Sequence, residues 1–443
     1  MSGHEKFNFK NKEELLAKCL CLGAEIPFSG EIGVLFEPVT VAGKKLPNRL
    51  AVHPLEGADA GPGGLPGELT FRRYQRFAAG GCGLIWFEAA AVREDGKSNP
   101  HQLLLSRKTL AGFKHLVEKT RAAARKSLGP RREPLLILQL THSGRFSKPR
   151  GMPAPVLGQR NPYLDPLHNL GRDQPLASDE ELDNLEETYV AAAGLAAEAG
   201  FDGVDIKACH GYLISELLAA RSRPDSRYGG SFENRIRFLL DTVQKIKARV
   251  PGIKIAVRLG VFDAIPHPYG FGVGHGDPPR PDLSEPKALV GRLIKAGLSL
   301  LNITAGIPAW KPHYGRPFDV PLSGASIPEE HPLTGIARLI QTAREMQRAF
   351  PSLPVVGTGY SWLRQFFPCV AAGVVKSGGA ALIGLGRLAL AHPDFVRDLA
   401  DKGALNFKKA CTACSGCSEL LRAGKPVGCV VRDKTKYKPI KLK

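Results

Sequence analysis

Residues 199–243 read AGFDGVDIKACHGYLISELLAARSRPDSRYGGSFENRIRFLLDTV. The β-branched run GVDIKAC, residues 203–209, has the length and composition of a buried strand, and the chain then turns polar at Lys207, His210 and Tyr212. Ser231 follows as a natural N-cap, and the stretch from Phe232 to Val250 has the period of an amphipathic helix. Strand, polar loop and crossover helix make one β/α unit.

The unit recurs. RLAVHP (49–54), LIWFEAAAV (84–92), PLLILQL (134–140), KIAVRLG (254–260), LSLLNITAG (298–306), LPVVGTG (353–359) and AALIGLG (380–386) complete a set of eight strand candidates. Helical stretches alternate with them at Leu69–Ala79, Leu110–Ala124, Asp179–Ala199, Glu285–Ala296, Gly335–Phe350 and Trp362–Val375, with a shorter helix near His392. Ser178 with Glu181 predicts a capping box, and Ser284 an N-cap. Alternation of this kind predicts an α/β fold with a parallel sheet, and eight strands is the number that closes a (β/α)8 TIM barrel. The barrel with an N-terminal extension is expected over residues 1–405, and a cysteine-rich C-terminal extension over 406–443.

A barrel gathers its chemistry at the C-terminal ends of its strands. Here those ends carry His53, Glu56, Glu88, Gln139, His142, Lys207, His210, Arg258, Asn302 and Thr304, which predicts one shared pocket. The long loops at 143–177 and 261–282 are rich in Pro, Gly and aromatic residues. They suit a substrate lid, an ordered surface excursion or a subunit contact, so a homo-oligomer stays open.

The chain has 443 residues, 43% of them hydrophobic, and a formal net charge of +19. Its Lys and Arg residues are scattered, the knot at Arg125–Glu133 is short, and no nucleic-acid-binding motif accompanies them, so a solvated surface is expected rather than a nucleic-acid groove. No apolar run is long enough to span a bilayer and no secretory signal is evident, which predicts a cytoplasmic protein. In that compartment thiols stay reduced. Cys411, Cys414, Cys417 and Cys429, spaced C-x2-C-x2-C-x11-C, could therefore hold zinc or an iron–sulfur cluster. Cys19 and Cys21 lie in an amphipathic N-terminal helix and are read as packing residues, as are the scattered Cys82, Cys209 and Cys369.

The series GFDGV, HGYL and YGGSFENR, with LPNRLAVHPLEG, LILQLTHSGR and ALIGLGRLALAHPDF in order around it, resembles the Old Yellow Enzyme family of NADH:flavin oxidoreductases. The cysteine tail is similar to that of the iron–sulfur subgroup containing 2,4-dienoyl-CoA reductase and trimethylamine dehydrogenase. The resemblance implies an FMN cofactor and a [4Fe–4S] cluster on the four tail cysteines. It also implies a small unsaturated substrate whose activated C=C bond is reduced, or formed in reverse.

It further implies the site residues. Gly359, Tyr360, Gly386 and Arg387 are expected at the flavin phosphate, Gln139 and Arg258 at the pyrimidine edge, and Pro54, Leu55 and Ala89 against the ring. Lys207 and His210 would hold the substrate carbonyl and Tyr212 would donate the proton, with His313 as a second candidate acid. Trp310, Tyr314, Tyr163 and His168 are candidates for the lid. Lys207 departs from the histidine common at its position, and Glu56 from the usual Thr or Cys. The sequence contains no G-x-G-x-x-G fingerprint, so electrons are expected from NAD(P)H over the flavin, or from an NAD(P)H reductase or an acidic ferredoxin or flavodoxin partner. The alternatives are an amine dehydrogenase or demethylase and a non-catalytic electron-transfer protein. Lys207 disfavours a cationic amine.

Overall fold

The computed structural model describes residues 3–442 except 131, 172 and 224. The outer bounds of the two expected segments, residues 1 and 443, therefore lie outside the described residues, as do Arg131 of the basic knot and Arg172 of the first long loop.

All eight expected strands form. After a short antiparallel hairpin of β1 (Val39–Val41) and β2 (Lys44–Leu46), the strands are β3 (Leu50–Val52), β4 (Leu84–Ala91), β5 (Leu135–Thr141), β6 (Gly203–Ala208), β7 (Lys254–Gly260), β8 (Leu298–Thr304), β9 (Val355–Gly357) and β10 (Leu382–Leu385). They pair in parallel in the order β10-β3-β4-β5-β6-β7-β8-β9 and close on themselves, giving a (β/α)8 TIM barrel.

The outer ring contains α2 (Glu68–Ala79), α3 (Leu110–Leu128), α4 (Asp179–Glu198), α6 (Phe232–Arg249), α7 (Ser284–Ala296), α8 (Pro332–Ala349), α9 (Phe367–Lys376) and α11 (Phe395–Lys402). To these are added α1 (Lys12–Cys21), α5 (Leu213–Ala219), α10 (Arg387–Ala391), α12 (Gly416–Arg422) and α13 (Lys434–Leu442). The capping box forms at Ser178 and Glu181, and the Ser231 side chain accepts from the Asn234 N–H. Ser284 is not an N-cap: it is the first helical residue of α7, and its N–H is taken by Asp282. The helix expected over Trp362–Val375 is broken, because Arg364 leaves the helical region at φ +49° and pairs with Asp319 at 2.5 Å.

Side chains alternate across a strand, so each barrel strand offers every second residue to the interior. At the N-terminal level these are Ala51, Leu84, Trp86, Leu135, Ile137, Ala256, Leu300, Val356 and Leu382, packed with Val41 and Leu46 of the hairpin. The hairpin thus plugs the barrel floor. Two residues further along the same strands the inward positions become His53, Gln139, Arg258 and Asn302, all buried. Register therefore converts an apolar floor into a polar rim over one pleat.

Strand β4 interrupts this order with a bulge between Phe87 and Ala89, which sets Ala89 opposite Gln139. Glu88 is consequently not part of the rim pocket expected for it. It lies behind the strand, accepting from Arg73 and from the Gly57 N–H at 2.6 Å each. Arg73 also pairs with buried Asp59. Burial outweighs these partners and pushes Glu88 up to about 7. Removing the arginine strands two carboxylates in the interior. Arg73→Leu is expected to cost about 3–5 kcal/mol, read as a fall in the urea unfolding midpoint.

Candidate functional site

The rim is organised by a buried carboxylate. Asp205 on β6 accepts from Trp86 Nε1 at 2.8 Å and Gln139 Nε2 at 2.6 Å through one oxygen, and from the Arg258 backbone N–H at 2.5 Å through the other. One side chain thereby ties β4, β5 and β7 to β6. Gln139 spends a donor on this contact. Burial, only partly offset by these donors, pushes Asp205 up to about 6.

Arg258 reaches across to the Pro54 carbonyl at 3.3 Å, and its Nε is buried without a hydrogen-bond partner. Asn302 and His53 bond at 3.1 Å, and Gly384 leaves the room that the His53 ring occupies. Desolvation, reinforced by Arg258, holds His53 neutral, well below its usual range.

Beyond the end of β6 the chain takes two consecutive left-handed residues, His210 at φ +67° and Gly211 at φ +73°. A non-glycine residue there stores of order 1–3 kcal/mol of strain, and such positions cluster at functional sites. The turn brings Lys207, His210 and Tyr212 together. Lys207 Nζ stands 3.4 Å from the centre of the Tyr212 ring, and His210 Nε2 is 3.4 Å from Thr304 Oγ1. Tyr212 O–H donates to Glu56 at 3.5 Å, and Ser98 donates to the same carboxylate oxygen at 3.0 Å. The Glu56 and Ser98 contacts to Tyr212 were not anticipated, since Ser98 lies in a loop without a distinctive motif.

The charge states follow from burial. Desolvation, then the cations Arg258 and Lys207, hold His210 well below the usual imidazole range. Desolvation and Glu56 raise Tyr212 well above the usual phenol range, so it keeps its proton at neutral pH. Desolvation also lowers Lys207, against the pull of Glu56.

Above this group the long loops pack on each other. Phe146 stands 5.6 Å from Tyr212 and 4.9 Å from His168, while Tyr163 lies 5.4 Å from Trp310 and 6.1 Å from Tyr269. His313 is engaged elsewhere, against Tyr314 at 4.6 Å and Glu330 at 3.9 Å, with burial holding it near 4. His142 turns away from the group, its Nδ1 accepting from the Gly144 N–H at 3.1 Å.

Of the four residues expected at a phosphate, Gly359 adopts φ +100° and Gly386 packs against Leu55. The Tyr360 side chain is buried against Gly357 instead, leaving its main chain as the group available. Arg387 donates to the Pro317 carbonyl at 2.7 Å and has a second nitrogen, Nη1, buried without a partner.

The tail folds onto the loops after β3 and β8 and onto α2. Val427 N–H donates to the Gly57 carbonyl at 2.7 Å, Asp319 N–H to Ala413 at 3.0 Å, and Asp433 pairs with Arg72 and Arg76 of α2 at 2.7 and 2.6 Å. Left-handed residues at Ala413 and Ser415 curl the cysteine loop. Cys411, Cys414, Cys417 and Cys429 line one pocket together with Arg387 and Leu390. Among the described residues no three His, Cys, Asp or Glu side chains converge on a single-ion site.

A barrel hosts many chemistries, so the class comes from likeness beyond the fold. The family described as NADH:flavin oxidoreductase / NADH oxidase matches residues 34–271, and the chain belongs to it. A curated NADH oxidase of Thermoanaerobacter brockii is 26% identical over 394 residues, covering 86% of this chain and 53% of that protein. The 12-oxophytodienoate reductase 7 of Oryza sativa subsp. japonica is 28% identical over 390 residues, 84% of this chain and 89% of that one. A solved 2-naphthoyl-CoA reductase complexed with 2-naphthoyl-CoA shares the fold, with a TM-score of 0.69 at 20% identity over 90% of this chain and 57% of that one. The chain thus spans about half the length of the NADH oxidase. No described helix is long and apolar enough to cross a membrane.

The position of Asp205 gives a pH signature. An acid whose folded pKa is raised holds its proton longer in the folded state, so its contribution is intact below the unfolded value and lost as pH rises through about 6. Asp205→Asn removes that loss but misorients an acceptor. The stability gap between wild type and Asp205→Asn is therefore expected to narrow between pH 4 and pH 7, measured by urea denaturation at each pH.

Proposed function

We propose that the chain is an FMN-dependent ene-reductase that reduces, or in reverse forms, the activated C=C bond of an unsaturated carbonyl compound. The observation that carries this reading is the convergence of Lys207, His210 and Tyr212 on one strained turn beside the rim that Asp205 organises. FMN would supply the hydride equivalent.

The donor set suits that cofactor. Arg258 has a buried nitrogen in need of an acceptor, and Arg387 directly follows Gly386 at the end of β10. Gly359 and Gly386, with the main chain at Tyr360, suit the phosphate. Gln139 would face the pyrimidine edge, and Pro54, Leu55 and Ala89 the ring. NAD(P)H is the natural reductant for the family.

The chain's own residues then divide the work on the substrate. Lys207 Nζ and the single N–H of neutral His210 hold the carbonyl oxygen and favour negative charge there. Tyr212 keeps its phenol proton until the α carbon becomes basic, then delivers it, with Glu56 and Ser98 fixing its hydroxyl. Trp310, Tyr163 and Phe146 limit water around a flat substrate. His313, held by Glu330, is in reserve as an acid only if its loop moves.

The segment from residue 406 would carry a [4Fe–4S] cluster on Cys411, Cys414, Cys417 and Cys429, which supplies one-electron exchange. Four thiols on one pocket support this, as do the N–H donors of Ala413 and Arg432 at 3.4 and 3.3 Å from the sulfurs of Cys411 and Cys429. An NAD(P)H reductase, ferredoxin or flavodoxin would be the partner for such a centre, acting in the cytoplasm.

Two measurements test the reading. Tyr212→Phe should retain its yellow flavin spectrum yet reduce an enone about 10²–10⁴-fold more slowly; a rate equal to wild type would remove Tyr212 from the reaction. Cys414→Ser should lose most of the iron and acid-labile sulfide found in anaerobically purified wild type, with flavin content unchanged.

A further inference from the structure

The cysteine pocket has positive charge beside it that no carboxylate among the described residues pairs with. Arg387, the first residue of α10, is only 8% exposed and lines the pocket with the four cysteines. One of its nitrogens serves the Pro317 carbonyl at 2.7 Å, while Nη1 is buried and unpartnered. Arg316 approaches from the loop after β8, donating to Ser418 Oγ, and interacts electrostatically with Arg387, Cys411 and Cys417. Among the described residues neither guanidinium pairs with a carboxylate, although most other buried arginines do, as Arg73, Arg145 and Arg235 show.

Arg387, withdrawn from water beside the thiols, and the half-buried Arg316 together favour a negatively charged occupant. A tetrathiolate iron–sulfur cluster is such an occupant, because four thiolates overcompensate the positive core and leave two net negative charges. Taking up one electron raises this to three, with no bond made or broken.

Building on the cluster reading above, we propose that Arg387, with Arg316 beside it, is the counter-ion of this redox centre and raises its reduction potential. A guanidinium stays charged across the working pH range, so the bias is permanent. Arg387 is a positioning and tuning residue here, acting through charge on the cluster. Because it directly follows Gly386 at the end of β10, the same side chain stands between the flavin-phosphate loop and the cysteine pocket.

The test is a dithionite redox titration of the anaerobically purified protein, followed by electron paramagnetic resonance of the reduced cluster. With iron content at the wild-type level, Arg387→Gln is expected to lower the reduced-to-oxidised ratio at a fixed potential about tenfold, which is about 59 mV for one electron. Arg387→Lys should restore most of the difference. An unchanged midpoint in Arg387→Gln overturns the proposal while leaving the cluster reading intact. Should Arg387→Gln fail to keep iron, retention by Arg387→Lys supports the charge role and loss by both variants refutes it. Wild-type protein that takes up only zinc, or no metal, refutes the cluster reading and this proposal with it.

Discussion

A carboxylate with no access to water must have its lone pairs satisfied, and in this barrel that constraint is met by donors from three other strands. Asp205 binds the indole of Trp86, the carboxamide of Gln139 and the main chain at Arg258. Below it the interior is closed by apolar side chains. Above it stand the polar groups of the rim. The level at which the barrel changes from packing to chemistry is therefore fixed by one buried acceptor, and the orientation of Gln139 and the register of β7 against β6 follow from it.

The second organising constraint is the turn after β6. His210 and Gly211 both occupy the left-handed region, and only this reversal lets Lys207 on the strand and Tyr212 at the start of α5 meet face to face. The first long loop sets Phe146 against Tyr212, and the tail is laced to the loops around the rim through Gly57 and Asp319.

Much of this was legible in the sequence. Short β-branched runs separated by amphipathic stretches located all eight barrel strands, because a buried parallel strand has little freedom in composition. The capping box at Ser178 was equally readable, since it needs only residues three apart. What escaped was set by geometry at longer range. The floor hairpin at Val39–Leu46 is too short to carry a clear alternation. The bulge at Phe87–Ala89 has no residue signature, yet it turns Glu88 from the rim toward Arg73. Arg364 breaks an otherwise helical pattern to reach Asp319, and nothing local announces that partner. Within the candidate site, motif order grouped Lys207, His210 and Tyr212, whereas Ser98 and Asp205 became visible only through their contacts.

The hairpin at the base has an outcome for traffic. With Val41 and Leu46 wedged among the apolar side chains there, the barrel is a vessel with a single mouth rather than a tunnel. On the proposed reading, whatever visits Lys207 would have to come and go over the same lip, so large visitors would take turns. Sequential occupancy, one guest leaving before the next arrives, would in that case be written into the bottom of the molecule.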